Sequence, residues 1–213
     1  YVAKGRMEEP MQILSVINKF FTQQKNVVKS SFSGKRALVT AGPTVEVIDP
    51  VRYVSNRSSG KMGYAIAEAL RDKGAIVTLI SGPTHLSLPE GINVVKVESA
   101  DDMFQAVTER FAKQDIVIKA AAVSDYTPMD ILEHKLKKQE GGLSVQFKRT
   151  KDILKYLGEN KTHQYLVGFA AETQNIEQYA LDKLKRKNAD VIISNNVGDT
   201  SIGFSSCLLY TSD

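Results

Sequence analysis

The stretch Ala41–Gly63, AGPTVEVIDPVRYVSNRSSGKMG, decides how the chain folds. It leaves an apolar run, Arg36–Thr40, that reads as a strand. It enters a helical pattern, Gly60–Lys73, that places Met62, Ala65, Ile66, Ala69 and Leu70 on one face. A strand–loop–helix junction is where α/β folds hold phosphate groups. The first N–H groups of the helix lack partners within it, and the helix dipole favours an anion there. Ser58, Ser59 and Gly60 present N–H groups and hydroxyls at that end, and Gly42 and Lys61 complete a candidate substrate-phosphate loop. Gly60 and Gly63 permit close approach of a ligand and of the helix to the sheet. Two familiar motifs fail. A Walker A loop requires Gly-x-x-x-x-Gly-Lys-Ser/Thr, but position 55 is Ser and Lys61 is followed by Met62. The dinucleotide Gly-x-Gly-x-x-Gly is absent, and the second strand ends at Ser81-Gly82 without the acidic residue that holds a ribose. On spacing alone the segment reads either as a phosphate site or as an ordinary glycine-containing βα turn.

Outward from this junction, strand and helix signals alternate. Gly74 is a C′ residue, and Ala75–Ser81 and Asn93–Val97 read as strands. Ser99 is an N-cap with Asp101 and Asp102 in the first turn that follows. Asp115–Val123 (interrupted by Lys119), Leu143–Phe147, Tyr165–Ala170 and Asp190–Asn195 read as further strands, and Asp152–Glu159 and Ile176–Lys187 as helices. The alternation predicts a Rossmann-like α/β fold: an open, mostly parallel sheet with helices on both faces and ligands at the carboxyl ends of the strands. Upstream, Met7–Phe21 reads as a helix, with Ile13, Leu14, Ile17 and Phe21 at helical spacing, and Thr22–Gly34 as a polar linker.

Bulk properties exclude several classes. The 213 residues, 42% hydrophobic and 24% charged, suit one large α/β domain with a short appendage. No apolar run approaches the roughly 20 residues that span a bilayer, and Tyr1–Pro10 carries charges in place of an apolar signal core, so no membrane association is expected. A single cysteine, Cys207, excludes an internal disulfide framework and fits a reducing, cytoplasmic setting. The net charge of +4 is compatible with phosphate-bearing ligands and equally with solubility alone. There is no concentrated basic stripe with interleaved aromatics, so nucleic acid is not an expected partner. His85, His134 and His163 show no metal-ligand spacing, and no protein-held metal is predicted.

The 41–63 segment resembles the signature loop of phosphopantothenate–cysteine ligases of the bacterial, CTP-using type. Four further segments agree in order: Ala120–Tyr126 (AAAVSDY), Lys135–Lys138 (KLKK), Gly168–Thr173 (GFAAET) and Lys183–Asn188 (KLKRKN). The resemblance covers roughly Lys35 to Gly203. Gly5–Pro10 (GRMEEP) resembles the end of the flavin-dependent decarboxylase fused ahead of the ligase in bifunctional bacterial proteins. Residues 1–34 are thus expected to be a decarboxylase tail plus linker, without FMN, and residues 35–213 a ligase domain. Ser206–Asp213 departs from the family pattern, which implies a truncated or altered end with an exposed sheet edge or apolar patch.

The resemblance implies that the phosphopantothenate carboxylate attacks the α-phosphate of CTP, giving an acyl-cytidylate and pyrophosphate. The cysteine amine then attacks that anhydride and releases CMP. In the family the lysine matching Lys135 assists the first step from a flap, the asparagine matching Asn56 serves turnover of the intermediate, and the arginine matching Arg52 serves the cysteine-dependent step. The same comparison assigns the nucleotide to Asp125, Lys135, Thr150, Lys151, Asp152, Ile153, Phe169, Lys183 and Lys187, with Mg²⁺ carried mainly by the triphosphate. Thr150-Lys151 stands where bacterial relatives often have Asn-Pro. As bare sequence, each residue has a plainer reading: Lys135 in a solvated basic turn, Arg52 in a surface ion pair, Asn56 satisfying local backbone, Asp125 capping a turn at Tyr126–Pro128, Phe169 in the core, and Lys183 and Lys187 on a solvated helix face. The resemblance also implies a homodimer. Two other functions are alternatives: an NADP-dependent oxidoreductase, which the alternation of elements fits, and a non-catalytic phosphopantothenate-binding partner. The missing glycine motif opposes the first, and the intact Asn56, Asp125 and Lys135 set opposes the second.

Overall fold

A computed structural model describes residues 32–138, 141–172, 176–196 and 207–211, with 11, 12, 14, 15 and 17 upstream. The elements in chain order are β1 (Arg36–Ala41), β2 (Val45–Val47), β3 (Tyr53–Ser55), α1 (Lys61–Asp72), β4 (Ile76–Ser81), β5 (Asn93–Lys96), α2 (Ala100–Phe111), β6 (Ile116–Lys119), β7 (Tyr126–Pro128) and β8 (Phe147–Arg149). They continue with α3 (Ile153–Asn160), β9 (Tyr165–Glu172), α4 (Ile176–Arg186), β10 (Val191–Asn196) and β11 (Cys207–Thr211). Seven strands form one sheet in the order β11-β10-β9-β6-β1-β4-β5. All neighbours in it run parallel except β10 and β11.

Side-chain alternation explains why helices cover both faces. On β1, Ala37, Val39 and Ala41 enter one apolar cluster with Tyr64, Ile66, Ala67 and Leu70 of α1. Leu38 enters the other, with Met103 and Val107 of α2, Leu154 and Leu157 of α3, and Leu184 of α4. A strand apolar on both sides must be covered on both sides. Leu14 and Ile17 are buried on the α1 face. Residues 11, 12, 14, 15 and 17 are helical, as the periodicity predicts. The rest of the 1–34 segment, apart from 32–34, lies outside the described residues.

Helix ends follow their local chemistry. Ser99 and Asp102 form a reciprocal capping box on α2, and Asp152 caps α3 by accepting from the Lys155 N–H at 3.0 Å. Gly74 takes φ 90°, and the Ala75 N–H closes α1 onto the Leu70 carbonyl.

Four predictions need correction. The strand expected over Asp115–Val123 stops at Lys119. Residues 120–124 leave the ladder because their N–H groups are taken by the neighbouring loop: Ala121 donates to Thr40 Oγ1, Ala122 to the Gly42 carbonyl and Ser124 to Thr44 Oγ1. The strand expected at Leu143–Phe147 is instead β8, Phe147–Arg149, paired antiparallel with β7 in a ribbon outside the main sheet. Tyr126–Pro128 is therefore a strand and not a turn for Asp125 to cap. A second ribbon, β2 with β3, lies inside the segment taken as loop. At the other end, Cys207–Thr211 pairs antiparallel along β10, from Val191↔Thr211 to Asn195↔Cys207, and is the outermost strand of the sheet on that side.

Candidate active site

Strand order reverses between β1 and β6, so the chain leaves the carboxyl ends of these two neighbours in opposite directions and opens a crevice between them. The loop after β1 lines one side, and residues 120–125, after β6, form its floor.

The loop is closed by glycines. Gly42 and Gly60 both take positive φ, 74° and 77°. A Cβ on Gly60 would stand 2.7 Å from Thr84 Cγ2 and 3.2 Å from the Gly42 nitrogen. Only glycine allows these two backbones to touch. Three positions further on, inside α1, a Cβ on Gly63 would stand 2.5 Å from Ala41 Cβ, so α1 rests directly on β1. Ser58 Oγ accepts from the Gly60 N–H and Ser59 Oγ from the Lys61 N–H, each at 3.4 Å. The two hydroxyls thus face the first N–H groups of α1, and contacts this long are weak. The predicted phosphate-loop residues converge at the helix N-terminus.

The floor is stitched to the loop by residues that sequence did not single out. Thr40 and Thr44 are fully buried, and their hydroxyls hold Ala121 and Ser124. Thr44 also donates its N–H to the Ala122 carbonyl at 3.2 Å. Asn56 joins them, its Nδ2 donating to the same carbonyl at 3.1 Å. The plainer reading of Asn56 therefore holds in part: one amide N–H satisfies backbone. A carboxamide carries a second N–H and an oxygen, which leaves it donor capacity at the exposed edge of the crevice.

Beyond the floor is a cleft of about 440 Å³ where the predicted nucleotide residues meet: Asp125, Thr150, Lys151, Asp152, Ile153, Phe169, Lys183 and Lys187. Its lining carries six cationic side chains against two carboxylates, Asp125 and Asp152. Thr150 is fixed at both ends, Oγ1 donating to the Ser124 carbonyl at 2.6 Å and N–H to the Asp125 carbonyl at 3.0 Å. Lys183 donates to the Phe169 carbonyl at 2.9 Å, and Lys187 pairs with Asp152. Burial would raise the Asp152 pKa, but the Lys187 ammonium and the Lys155 N–H more than reverse this and hold it below the usual carboxylate range. Phe169 packs on the core cluster, as its plainer reading has it, and also lines the cleft. Lys151 also lines the cleft. Its ammonium turns toward α2, 2.8 Å from Asp101 and 4.9 Å from the centre of the Phe104 ring.

Lys135 does not line this cleft. It shares another, about 600 Å³, with Arg52, Leu136, Lys137, Lys138, Gly141, Gly142 and Leu143. Asp49, a residue the sequence did not mark, joins the two segments. Its fully buried carboxylate accepts from Val51, Arg52 and Leu136 N–H groups at 2.8, 2.9 and 3.2 Å, while Arg52 also binds the Leu136 carbonyl. Burial alone would raise the Asp49 pKa, but these three donors and the Arg52 guanidinium lower it. Arg52 Nε also pairs with Asp49 Oδ2 at 3.5 Å, so the ion-pair reading of Arg52 holds, and through the Leu136 carbonyl the same side chain bridges two loops. Among the described residues no group of three or more His, Cys, Asp or Glu can hold a metal ion, and no helix is long and apolar enough to cross a membrane.

The architecture is that of doubly wound α/β proteins, with the candidate site at the point where strand order reverses. Residues 32–208 match the DNA/pantothenate metabolism flavoprotein C-terminal domain, and the chain belongs to that family. The coenzyme A biosynthesis bifunctional protein CoaBC of Bacillus subtilis (strain 168) is 52% identical over 205 residues, which are 96% of this chain and 50% of that protein. CoaBC of Haemophilus influenzae is 48% identical over 197 residues, 92% of this chain and 48% of that protein. The crystal structure of the C-terminal domain of a CoaBC superposes with a TM-score of 0.73 at 49% identity, covering 85% of this chain and 83% of that one. The chain spans about half the length of the curated relatives it matches.

Proposed function

We propose that the chain is the ligase part of a coenzyme A biosynthesis enzyme. It joins 4′-phosphopantothenate to cysteine with CTP as the activating nucleotide. The observation that carries this reading is the cationic cleft beside the glycine-closed helix N-terminus, on a chain 52% identical to a CoaBC over 96% of its length. Two anion sites flanking one floor suit a reaction between two phosphate-bearing molecules. In this reading the phosphate of phosphopantothenate rests on the N-terminus of α1, among Gly42, Ser58, Ser59, Gly60 and Lys61. The nucleotide fills the 440 Å³ cleft: Phe169 meets the base, Asp125 accepts from the cytosine amino group or the ribose, and Lys183 and Lys187 meet the triphosphate.

The substrate carboxylate then faces the α-phosphate across the 120–125 floor. Its oxygen bonds to that phosphorus, pyrophosphate leaves, and an acyl-cytidylate remains. The cysteine amine next bonds to the acyl carbon, loses a proton, and expels CMP. Negative charge gathers in both steps, and fixed donors placed in advance stabilise it without reorganisation. Asn56 donates to the acyl oxygen from the rim. Arg52 and Lys135 share a cleft on a glycine-flanked loop, and closure of that loop carries the Lys135 ammonium to the reacting phosphate. Asp152 is committed to Lys187 and the α3 N-terminus, so Asp125 is the one lining carboxylate suited to a Mg²⁺ ion otherwise held by the triphosphate. Bound there, the metal would screen phosphate charge. In this reading the working form is a homodimer, and the longer protein carries a decarboxylase domain ahead of residue 35, a reading supported by the bifunctional CoaBC relatives.

Pyrophosphate release is the test. A single turnover should require CTP and phosphopantothenate but not cysteine, and cysteine should make release continuous. ATP serving as well as CTP would remove the base assignment. Binding of radiolabelled NADP in place of CTP would replace the ligase by an oxidoreductase.

A further inference from the structure

Lys119 ends β6, the centre of the sheet, between Thr40 on β1 and Gly168 on β9. Ile118 belongs to the apolar cluster on the α1 face and Val117 to the opposite one. Strand alternation places Lys119 with Val117, on the face that carries α3 and α4. There it lines the 440 Å³ cleft. Three of the other cations that line it have protein partners: Lys183 binds the Phe169 carbonyl, Lys187 pairs with Asp152, and Lys151 with Asp101. Among the described residues, Lys119 Nζ has no hydrogen bond or ion pair. A half-buried ammonium without a partner is costly, and a lysine in a packed strand is rarely retained for packing alone.

We infer that Lys119 is a further binding residue of this cleft, its ammonium meeting the phosphate chain of the nucleotide between Lys183 and Lys187. The inference rests on the reading of the cleft as a nucleotide site and adds a residue to it. The charges around Lys119 support it. α4 supplies Lys183, Arg186 and Lys187, β8 supplies Arg149, the α3 N-terminus supplies Lys151 and Asp152, and the floor supplies Asp125. Burial first, and then the Lys183 charge, lower the Lys119 pKa from 10.5 to about 8, with Asp152 and Asp125 opposing and Lys187 reinforcing the shift. A polyanion laid among these lysines reverses the repulsion, so binding is coupled to protonation of Lys119. Above pH 8 the free protein has lost that proton, and affinity for the polyanion falls as it is lost.

The experiment is calorimetric titration of the whole chain with Mg²⁺–CTP and, separately, Mg²⁺–tripolyphosphate, from pH 6.5 to 9.5. Lys119→Met should weaken both ligands by about 10- to 100-fold at pH 7, the loss of one charge-assisted contact. Lys119→Arg keeps a charge that cannot be removed. It should bind within a few-fold of the parent at pH 7, and its affinity should fall less between pH 7 and 9.5. The ligands' own titration is common to all three proteins and cancels in the comparison. A melt of the ligand-free K119M confirms that it is folded, and K119R carries the same test if it is not. Undiminished CTP binding by K119M, or the same pH profile in K119R and the parent, overturns the inference and leaves the nucleotide reading standing. Lys119-dependent binding of tripolyphosphate without tighter binding of CTP keeps the inference and removes the base and ribose contacts. If neither ligand binds the parent protein, both fall.

Discussion

Gly63→Ala tests the contact on which the phosphate loop depends. In the structure a Cβ at this position lies 2.5 Å from Ala41 Cβ and 3.0 Å from both Ala41 Cα and the Thr40 carbonyl oxygen. Carbon atoms pack at about 3.5–4.0 Å, so α1 must withdraw from β1 by roughly 1 Å. The obstacle is strand backbone in the middle of the sheet and cannot rotate aside. Overpacking of this kind costs about 1–3 kcal/mol, while alanine in place of glycine inside a helix contributes about 1 kcal/mol in favour. The balance is a loss of about 1 kcal/mol, which lowers the melting midpoint by about 2–4 °C in a domain of this size. The functional effect is larger in proportion, because the same displacement separates Gly60 from Gly42 and moves the first N–H groups of α1. We expect KM for phosphopantothenate to rise several-fold with KM for CTP little changed. Urea denaturation and initial-rate kinetics measure the two effects. Gly142→Ala, where an added Cβ meets nothing within 4 Å, is the stability control. A Gly63→Ala protein as stable as its parent, with unchanged KM for both substrates, refutes the claim that contact between α1 and β1 positions the loop.

Three other outcomes are expected. Lys135→Gln should abolish acyl-cytidylate formation, whereas Asn56→Asp should let it form and stall, each with a loss of ~10²–10³ in rate; mass spectrometry of the quenched reaction decides, and one species common to both contradicts the division of roles. With Lys119 at about 8 folded and 10.5 unfolded, the unfolded chain binds more protons between those values, so stability should rise with pH across that window by up to about 3 kcal/mol. Below pH 8 the whole penalty is present, and Lys119→Met should remove the slope in denaturant titrations. Light scattering should give twice the 23.5 kDa chain mass, and a fully active monomer would end the proposed dependence on dimerisation.

Much of this protein can be read without coordinates, because its signals are local. Apolar alternation around Gly60–Lys73, the Ser99 cap and Gly74 each act within one or two helical turns, so α1, α2 and the parallel order follow from sequence. Asp125, Thr150, Lys151 and Asp152 lie beyond strand ends or at a helix start on the carboxyl side of the sheet, and the βα alternation brings such positions together. Lys183 and Lys187, at the far end of α4, instead reach the cleft through their long side chains, to the Phe169 carbonyl and Asp152. The tertiary structure alone decided the rest. Residues 120–124 are as apolar as a strand, but their N–H groups bind Gly42, Thr40 and Thr44, about 80 residues away. The ribbons β2–β3 and β7–β8 have three-residue strands, too short for periodicity to declare. Lys135 was joined in sequence terms to the nucleotide cleft and stands instead with Arg52, because Asp49 binds Leu136 from 87 positions upstream. A buried Thr or Asp looks like any other polar residue until its partner is known, and hydrogen bonds between distant segments leave no period in the chain.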